Sequence, residues 1–262
     1  MNSPVQMDFN QEKSEVSILD RNISKLFYYK LKDIIQNQYD EIRQIKIAPE
    51  ASRVIQKNDS LFFCIGIFSN GGMFGKSVNG KIEQTYFEFP DIKNENLNST
   101  QKFMLFQGEM KMNPDCTKFA YISKRCDLLK IVSMENDILQ EIATVYTYFP
   151  KFRKAPDDMI IIERENQNGF LSISTTREYI FALFSGRNEA NSGSRNYFGD
   201  IVRVFDWNGN LAKEVVLDKD AWQIYVDEKS NKLYTIHYEE KESDYQISYL
   251  GYNIEEFCLT ND

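Results

Sequence analysis

The sequence predicts an all-β protein, a β-propeller built of three- to four-stranded antiparallel blades, five of them visible along the chain. Short runs rich in Val, Ile, Phe and Tyr recur from end to end: EVSILD, LFFCIGIF, KFAYIS, YIFALF, DIVRVFDW, KLYTIHY and QISYLGY. Their period of two and their β-branched and aromatic content suit a pleated, half-buried strand. Turn formers lie between them, among them Asn79-Gly80, Asn113-Pro114-Asp115, Asn208-Gly209 and Ser230-Asn231, which suit hairpins. The runs also repeat. Aligning the first apolar residue of each unit, Val16, Leu61, Phe119, Ile180 and Leu233, gives intervals of 45, 58, 61 and 53 residues. A unit of about 55 residues holding three or four strands has the size of a propeller blade with long loops. A β-sandwich or jelly roll predicts frequent turns but no repeat of such units.

Along the chain, the first unit opens on the turn Met7-Asp8-Phe9-Asn10 and contains the one candidate helix, Leu31 to Tyr39, about two turns long, a segment that suits an irregular crossover equally. The second holds the longest apolar run, Leu61 to Phe68, far below the roughly 18 residues of a membrane span. The third places Met112-Asn113-Pro114-Asp115 ahead of Phe119 and a hairpin turn at Asn136. The fourth continues from Ile180 through a long polar segment to a turn at Asn208. The fifth has Val226-Asp227-Glu228-Lys229 ahead of Leu233 and a last turn at Asn253; the turn at Asn79 is the second unit's counterpart.

Composition narrows the function. Thirty-one Lys and Arg against thirty-nine Asp and Glu give a net charge of −8, which repels a phosphate backbone, so no nucleic-acid partner is expected. With 42% hydrophobic and 14% aromatic residues the chain has material for a large core and is not disordered. His237 is the sole imidazole, and Cys64, Cys116, Cys126 and Cys258 form no C-x-x-C pair, so neither a metal site nor a cofactor is expected. Cys116 and Cys126 bracket the predicted strand Lys118–Ser123. Extended chain of that length separates its ends by roughly 20 Å, against the ~7 Å limit of a disulfide, and all four cysteines read as free thiols. The N-terminal MNSPVQMDFNQEK has no basic, apolar or small-residue region of an export signal.

Motifs that could carry chemistry resolve mostly into structure. Gly71-Gly72-Met73-Phe74-Gly75-Lys76-Ser77 has one residue too few between its glycines for a phosphate loop and is followed by strand pattern. Asp206-Trp207-Asn208-Gly209-Asn210 begins like a calcium loop, but its glycine is at the fourth position and its twelfth is Leu217. Ser185 lacks the glycine of a nucleophile elbow, and His237 reads as a strand residue with a satisfied ring. Two segments stand out as binding material. Arg187 to Gly199 is long, polar and glycine-containing, and Arg187, Arg195 and Tyr197 suit an anionic or peptidic partner. Tyr146 to Lys154 clusters aromatic and basic residues, with Tyr148 and Arg153 as its candidate contacts.

The stretch Met112 to Tyr121 resembles the N-P-D-G-x-x-(apolar)-A hairpin of TolB-like propellers. Gly199 to Asn210, followed by Val226-Asp227 and Lys232-Leu233-Tyr234, is similar to the six-bladed TolB-like proteins common in Bacteroides and relatives. Cys116 stands where that motif usually has glycine. The resemblance implies a single propeller domain over residues 1–262 lacking an N-terminal blade, a periplasmic or cell-envelope location, and open blade edges prone to self-association. It supplies no catalytic residues. The resulting expectation is a non-enzymatic module binding a protein or small ligand through loops on one face. The alternative is a propeller-type hydrolase or lyase using channel-lining carboxylates.

Overall fold

The computed structural model describes residues 4–10, 13–38, 42–92, 95–157, 159–241 and 244–257. Two compact units, Met1–Phe103 and Met104–Asp262, divide the chain. The first holds two four-stranded antiparallel sheets, β1 (Pro4–Asn10), β2 (Glu15–Asp20), β3 (Lys25–Lys30) and β4 (Arg43–Lys46), then β5 (Ala51–Gln56), β6 (Leu61–Gly66), β7 (Gly72–Val78) and β8 (Lys81–Glu88). The second holds three more: β9 (Gly108–Met112), β10 (Lys118–Ser123), β11 (Leu129–Glu135) and β12 (Ile138–Val145); β15 (Phe170–Thr175), β16 (Tyr179–Phe184), β17 (Gly199–Asp206) and β18 (Leu211–Ala221); and the three-stranded β19 (Gln223–Asp227), β20 (Lys232–Lys241) and β21 (Asp244–Asn253). A small hairpin, β13 (Phe152–Lys154) and β14 (Ile160–Ile162), precedes β15. In every sheet the strands pair in chain order, as blades of a propeller do.

The five aligned residues all fall on the second strand of their own sheet: Val16 on β2, Leu61 on β6, Phe119 on β10, Ile180 on β16 and Leu233 on β20. Four are buried; Val16 is half-buried because its partner Phe9 on β1 is itself exposed. A side-chain oxygen holds the first hairpin of every blade. Asn10 accepts from the backbone of Lys13, Asn58 from Ser60 and Leu61, Asn113 from Thr117 and Lys118, Thr176 from Tyr179, and Asp227 from Lys229. These short polar side chains replace ladder partners the turning backbone has lost. That is the physical content of the acidic or Asn-rich turn that recurs in the sequence.

The strand β16 shows why its run, YIFALF, has no polar alternation. Ile180, Ala182 and Phe184 pack toward Ala120, Ile122, Leu129 and Ile131 of the β9–β12 sheet. The intervening Phe181 and Leu183 pack toward Ile224, Val226 and Leu233 of the β19–β21 sheet. A blade between two blades is buried on both faces. In the first unit Leu19, Leu26 and Tyr28 meet Val54, Phe62 and Cys64 in the same manner. Across the hairpin end of the second unit, Arg177 pairs with Asp115 at 3.2 Å and Glu228 at 3.1 Å, joining three blades.

Some local expectations need correction. Met7-Asp8-Phe9-Asn10 is strand, part of β1, and the first hairpin turns after it. Of the candidate helix, Leu31–Ile35 forms the single turn α1, and Tyr39 lies outside the described residues. Asn253 ends β21 and leads into a 3₁₀ turn, Ile254–Glu256, instead of a hairpin. Asn79 and Asn136 do sit at third-hairpin turns with positive φ, 50° each. A further helix, α2 (Ser99–Leu105), follows β8 and had no clear periodic signal. Cys64, Cys116 and Cys126 are free thiols; Cys258 lies outside the described residues.

Cys116 has φ +56°. It therefore occupies the left-handed position that explains the glycine of the resembled motif, at a cost of roughly 1–2 kcal/mol for a residue with a Cβ. Part of this is offset in glycine by its greater freedom when unfolded. Cys116→Gly is expected to stabilise the protein by about 0.5–1 kcal/mol, read as a raised urea midpoint. An unchanged or lowered midpoint contradicts that reading of the turn.

Candidate functional site: the loop end of the second unit

Antiparallel strands place the first and third hairpins of a blade at one end, and the second-to-third loop and the link to the next blade at the other. In the second unit that loop end gathers Lys124–Leu128, the β13–β14 hairpin with its flanks, residues 185–198 and the short Ala221-Trp222 link. Close backbone approach fixes it. The Gly169 amide donates to the Lys124 carbonyl and its own carbonyl accepts from Ser185, both at 2.9 Å. A Cβ on Gly169 would lie 1.6 Å from the Cys126 carbonyl oxygen.

The long polar segment between β16 and β17 is built and held. Asn188 caps α3 (Glu189–Ser192) by accepting from the Asn191 amide at 2.9 Å. A 3₁₀ turn, Gly193–Tyr197, follows. The Ser185 hydroxyl bonds the carbonyls of Asn196 and Phe198, both at 2.9 Å. Asn168 donates from its amide side chain to the Asn196 carbonyl at 2.9 Å and from its backbone to the Arg187 carbonyl at 2.8 Å. The Asn196 side-chain oxygen is buried without a hydrogen-bond partner, an acceptor at the base of the loop.

Asp220 is the charged hub. Arg187 grips it with two nitrogens, at 2.8 and 2.6 Å, and Arg195 adds a third contact at 2.9 Å. Arg187 also reaches Asp200 at 3.2 Å. The hub exists because β18 carries a bulge: Gly199 pairs with Ala221 but Ile201 with Val216, so Leu217 to Asp220 face Asp200 alone. The Arg187 hydrogen bonds hold the Asp220 carboxyl below the usual carboxylate range and raise the guanidinium in turn. His237 lies beneath, buried. Its Nδ1 is 2.8 Å from the Asp220 carbonyl, which only accepts, so Nδ1 carries a hydrogen, and its Nε2 lies within hydrogen-bond distance of the Thr235 hydroxyl at 2.7 Å.

Three of the five residues singled out in the sequence, Arg187, Arg195 and Tyr148, thus belong to one network. Arg187 and Arg195 share Asp220; Tyr197 ends the 3₁₀ turn that carries Arg195 and is 51% exposed. Tyr148 donates to the Asn168 carbonyl at 3.3 Å, and burial pushes its phenol up so that it stays protonated. Its backbone and that of Thr147 bond Asp127. Arg153 is exposed on β13, opposite Ile161. Sequence reasoning missed Asp220, Asn168 and the exposed Trp222. The signal for Asp220 was the loss of alternation at Asp218-Lys219-Asp220, which marks the bulge.

A family described as TolB-like 6-blade propeller-like matches residues 5–229. The chain belongs to that family. Its TolB-like fold is also similar to hydrazine synthase of Kuenenia stuttgartiensis, at 8% identity and TM-score 0.53, over 98% of this chain and 64% of that one. A second similar structure is Raptor of Chaetomium thermophilum, at 11% identity and TM-score 0.48, over 93% of this chain and 18% of that one. No curated protein sequence matches the chain significantly. The TolB-like chain thus spans under two thirds of either protein, and at 8% identity the likeness to hydrazine synthase is one of fold. Among the described residues no helix is long and apolar enough to cross a membrane.

Asp220→Asn is expected to cost this TolB-like protein about 1–3 kcal/mol, because two guanidinium groups lose their charged acceptor. Asp220 has its carboxyl pKa lowered on folding, so its contribution is complete above the unfolded-state value of about 3.9. It is lost as pH falls through the lower folded-state value. Stability curves of wild type and variant should therefore converge in acid. Parallel curves down to the lowest measurable pH would contradict the pairing.

Proposed function

We propose that this protein is a non-enzymatic binding module of the cell envelope or periplasm, and that it takes an anionic or peptidic ligand on the loop end of the second unit. The observation that carries the reading is the pre-ordered segment 185–198, which displays Arg195 (side chain 73% exposed) and Tyr197, with Trp222 exposed two residues beyond Asp220. Arginine and large aromatics on a rigid base are the groups that dominate binding energy, and a loop ordered beforehand loses little entropy on association. Arg187 acts as support, fully engaged with Asp220 and Asp200; Arg195 spends one nitrogen on Asp220 and turns the rest of its fork outward. Tyr148 buttresses the loop through Asn168, and Arg153 extends the basic character to the next hairpin.

The carboxylates at this end favour binding over hydrolysis. Asp220 is held ionised by two arginines, which suits a structural anion and not a proton donor at neutral pH. The envelope location follows the family resemblance.

Selection of a random peptide library on the immobilised protein tests the proposal. Recovered peptides should carry Asp or Glu near an aromatic residue. Their affinity should fall at least tenfold in Arg195→Ala with Tyr197→Ala, while the melting temperature falls less than in Asp220→Asn, because the variant keeps the Arg187–Asp220 pair and loses only the exposed arginine. Peptides that bind wild type and variant equally, or a library that yields none, would overturn it.

A further inference from the structure

The outer strands of the blades differ in one respect. In the four-stranded sheets they are β4 with Arg43 and Lys46, β8 with Lys81, Glu83 and Glu88, β12 with Glu141, and β18 with Lys213, Glu214, Asp218, Lys219 and Asp220. Charges on an outer strand block pairing with another chain. Among the described residues the fifth sheet has three strands, and its outer one, β21, runs from Asp244 through YQISYLGYN, with neither charge nor proline after its first residue. Ile247 and Tyr249 on that strand are 66% and 74% exposed. They continue a sheet face with Tyr238, opposite Ile247, and Ile236, opposite Tyr249.

We propose that β21 is the interface through which a second copy of this chain docks, by antiparallel β21–β21 pairing about a two-fold axis at Ser248. The strand is self-complementary in that register. Ile247 of one copy faces Tyr249 of the other, twice, an aromatic and β-branched pair of the kind that stabilises antiparallel ladders. No like charges oppose each other along the uncharged stretch, so a net charge of −8 per chain does not prevent this edge from meeting itself. The pairing converts two three-stranded sheets into one of six strands and leaves the loop end of each copy to its own ligand.

Light scattering after size exclusion, over a range of concentrations, should show wild type moving from the 30.8 kDa chain to twice that mass. Tyr249→Lys, at an exposed position, should remain monomeric throughout, with the melting temperature that wild type shows at concentrations where it is monomeric. Ser248→Cys should form a disulfide-linked dimer under non-reducing conditions where wild type does not, since directly opposed Cα atoms about 4.5–5.5 Å apart fall within disulfide reach. Wild type that stays monomeric, Tyr249→Lys that dimerises as wild type does, or Ser248→Cys that fails to cross-link would each overturn the proposal. A donated strand from a different protein would appear as the first of these outcomes.

Discussion

Phe119→Ala is expected to lower the unfolding free energy by about 3–5 kcal/mol, the cost of emptying a fully enclosed aromatic site. Phe119 has no exposed surface and sits between Met112 of β9 and Val132 of β11 in the middle of its sheet. The equivalent change in the first blade, Val16→Ala, should cost only about 1 kcal/mol, because fewer methyl groups leave a site that is half open. The two residues hold the same position in the repeat, so the contrast separates what the repeat specifies from what each blade's surroundings add. Urea denaturation of both variants measures it. Equal losses would mean that the two positions share an environment, against the burial difference described above.

Gly169→Ala is the second large effect, at about 3 kcal/mol. Here the demand for glycine is one of space: the Lys124, Cys126 and Ser185 backbones close around the position, and no side-chain rotation can relieve a contact with a carbonyl oxygen. The displaced backbone carries Asn168 with it, and through Asn168 the segment that presents Arg195 and Tyr197. The variant should thus lose affinity for selected peptides beyond what its stability loss explains. A Gly169→Ala protein with wild-type melting and binding would show that the loop end is less tightly packed than described.

The fold was legible because its signals are local and repeated. A strand buried on both faces, such as β16, shows as an unbroken apolar run, and a hairpin closed by Asn113 or Asp227 shows as a polar residue ahead of it. The chemistry of the loop end was half legible. Arg187, Arg195 and Tyr197 announced themselves by type within one segment. Asp220 did not, since its role depends on a bulge that brings it opposite Asp200 from a strand that begins at Leu211. His237 was placed correctly as a satisfied strand residue, although its partner, the Asp220 carbonyl, belongs to a connection no sequence pattern predicts. The turns that were misplaced, at Met7 to Asn10 and Asn253, involve residues that favour turns but lie within or at the end of strands whose ladder partners decide the matter.

Arg195 and Tyr197 form a binding surface only if residues 185–198 are ordered in the free protein, because a loop that is already built is what presents them. Amide hydrogen exchange on the unliganded protein tests this directly. Asn191, Ser192 and Phe198 donate to Asn188, Asn188 and Arg195 respectively, and should exchange well below the rate of an unstructured chain. Asp220→Asn should speed exchange in this segment. Exchange of these amides at the unstructured rate in wild type would contradict the account.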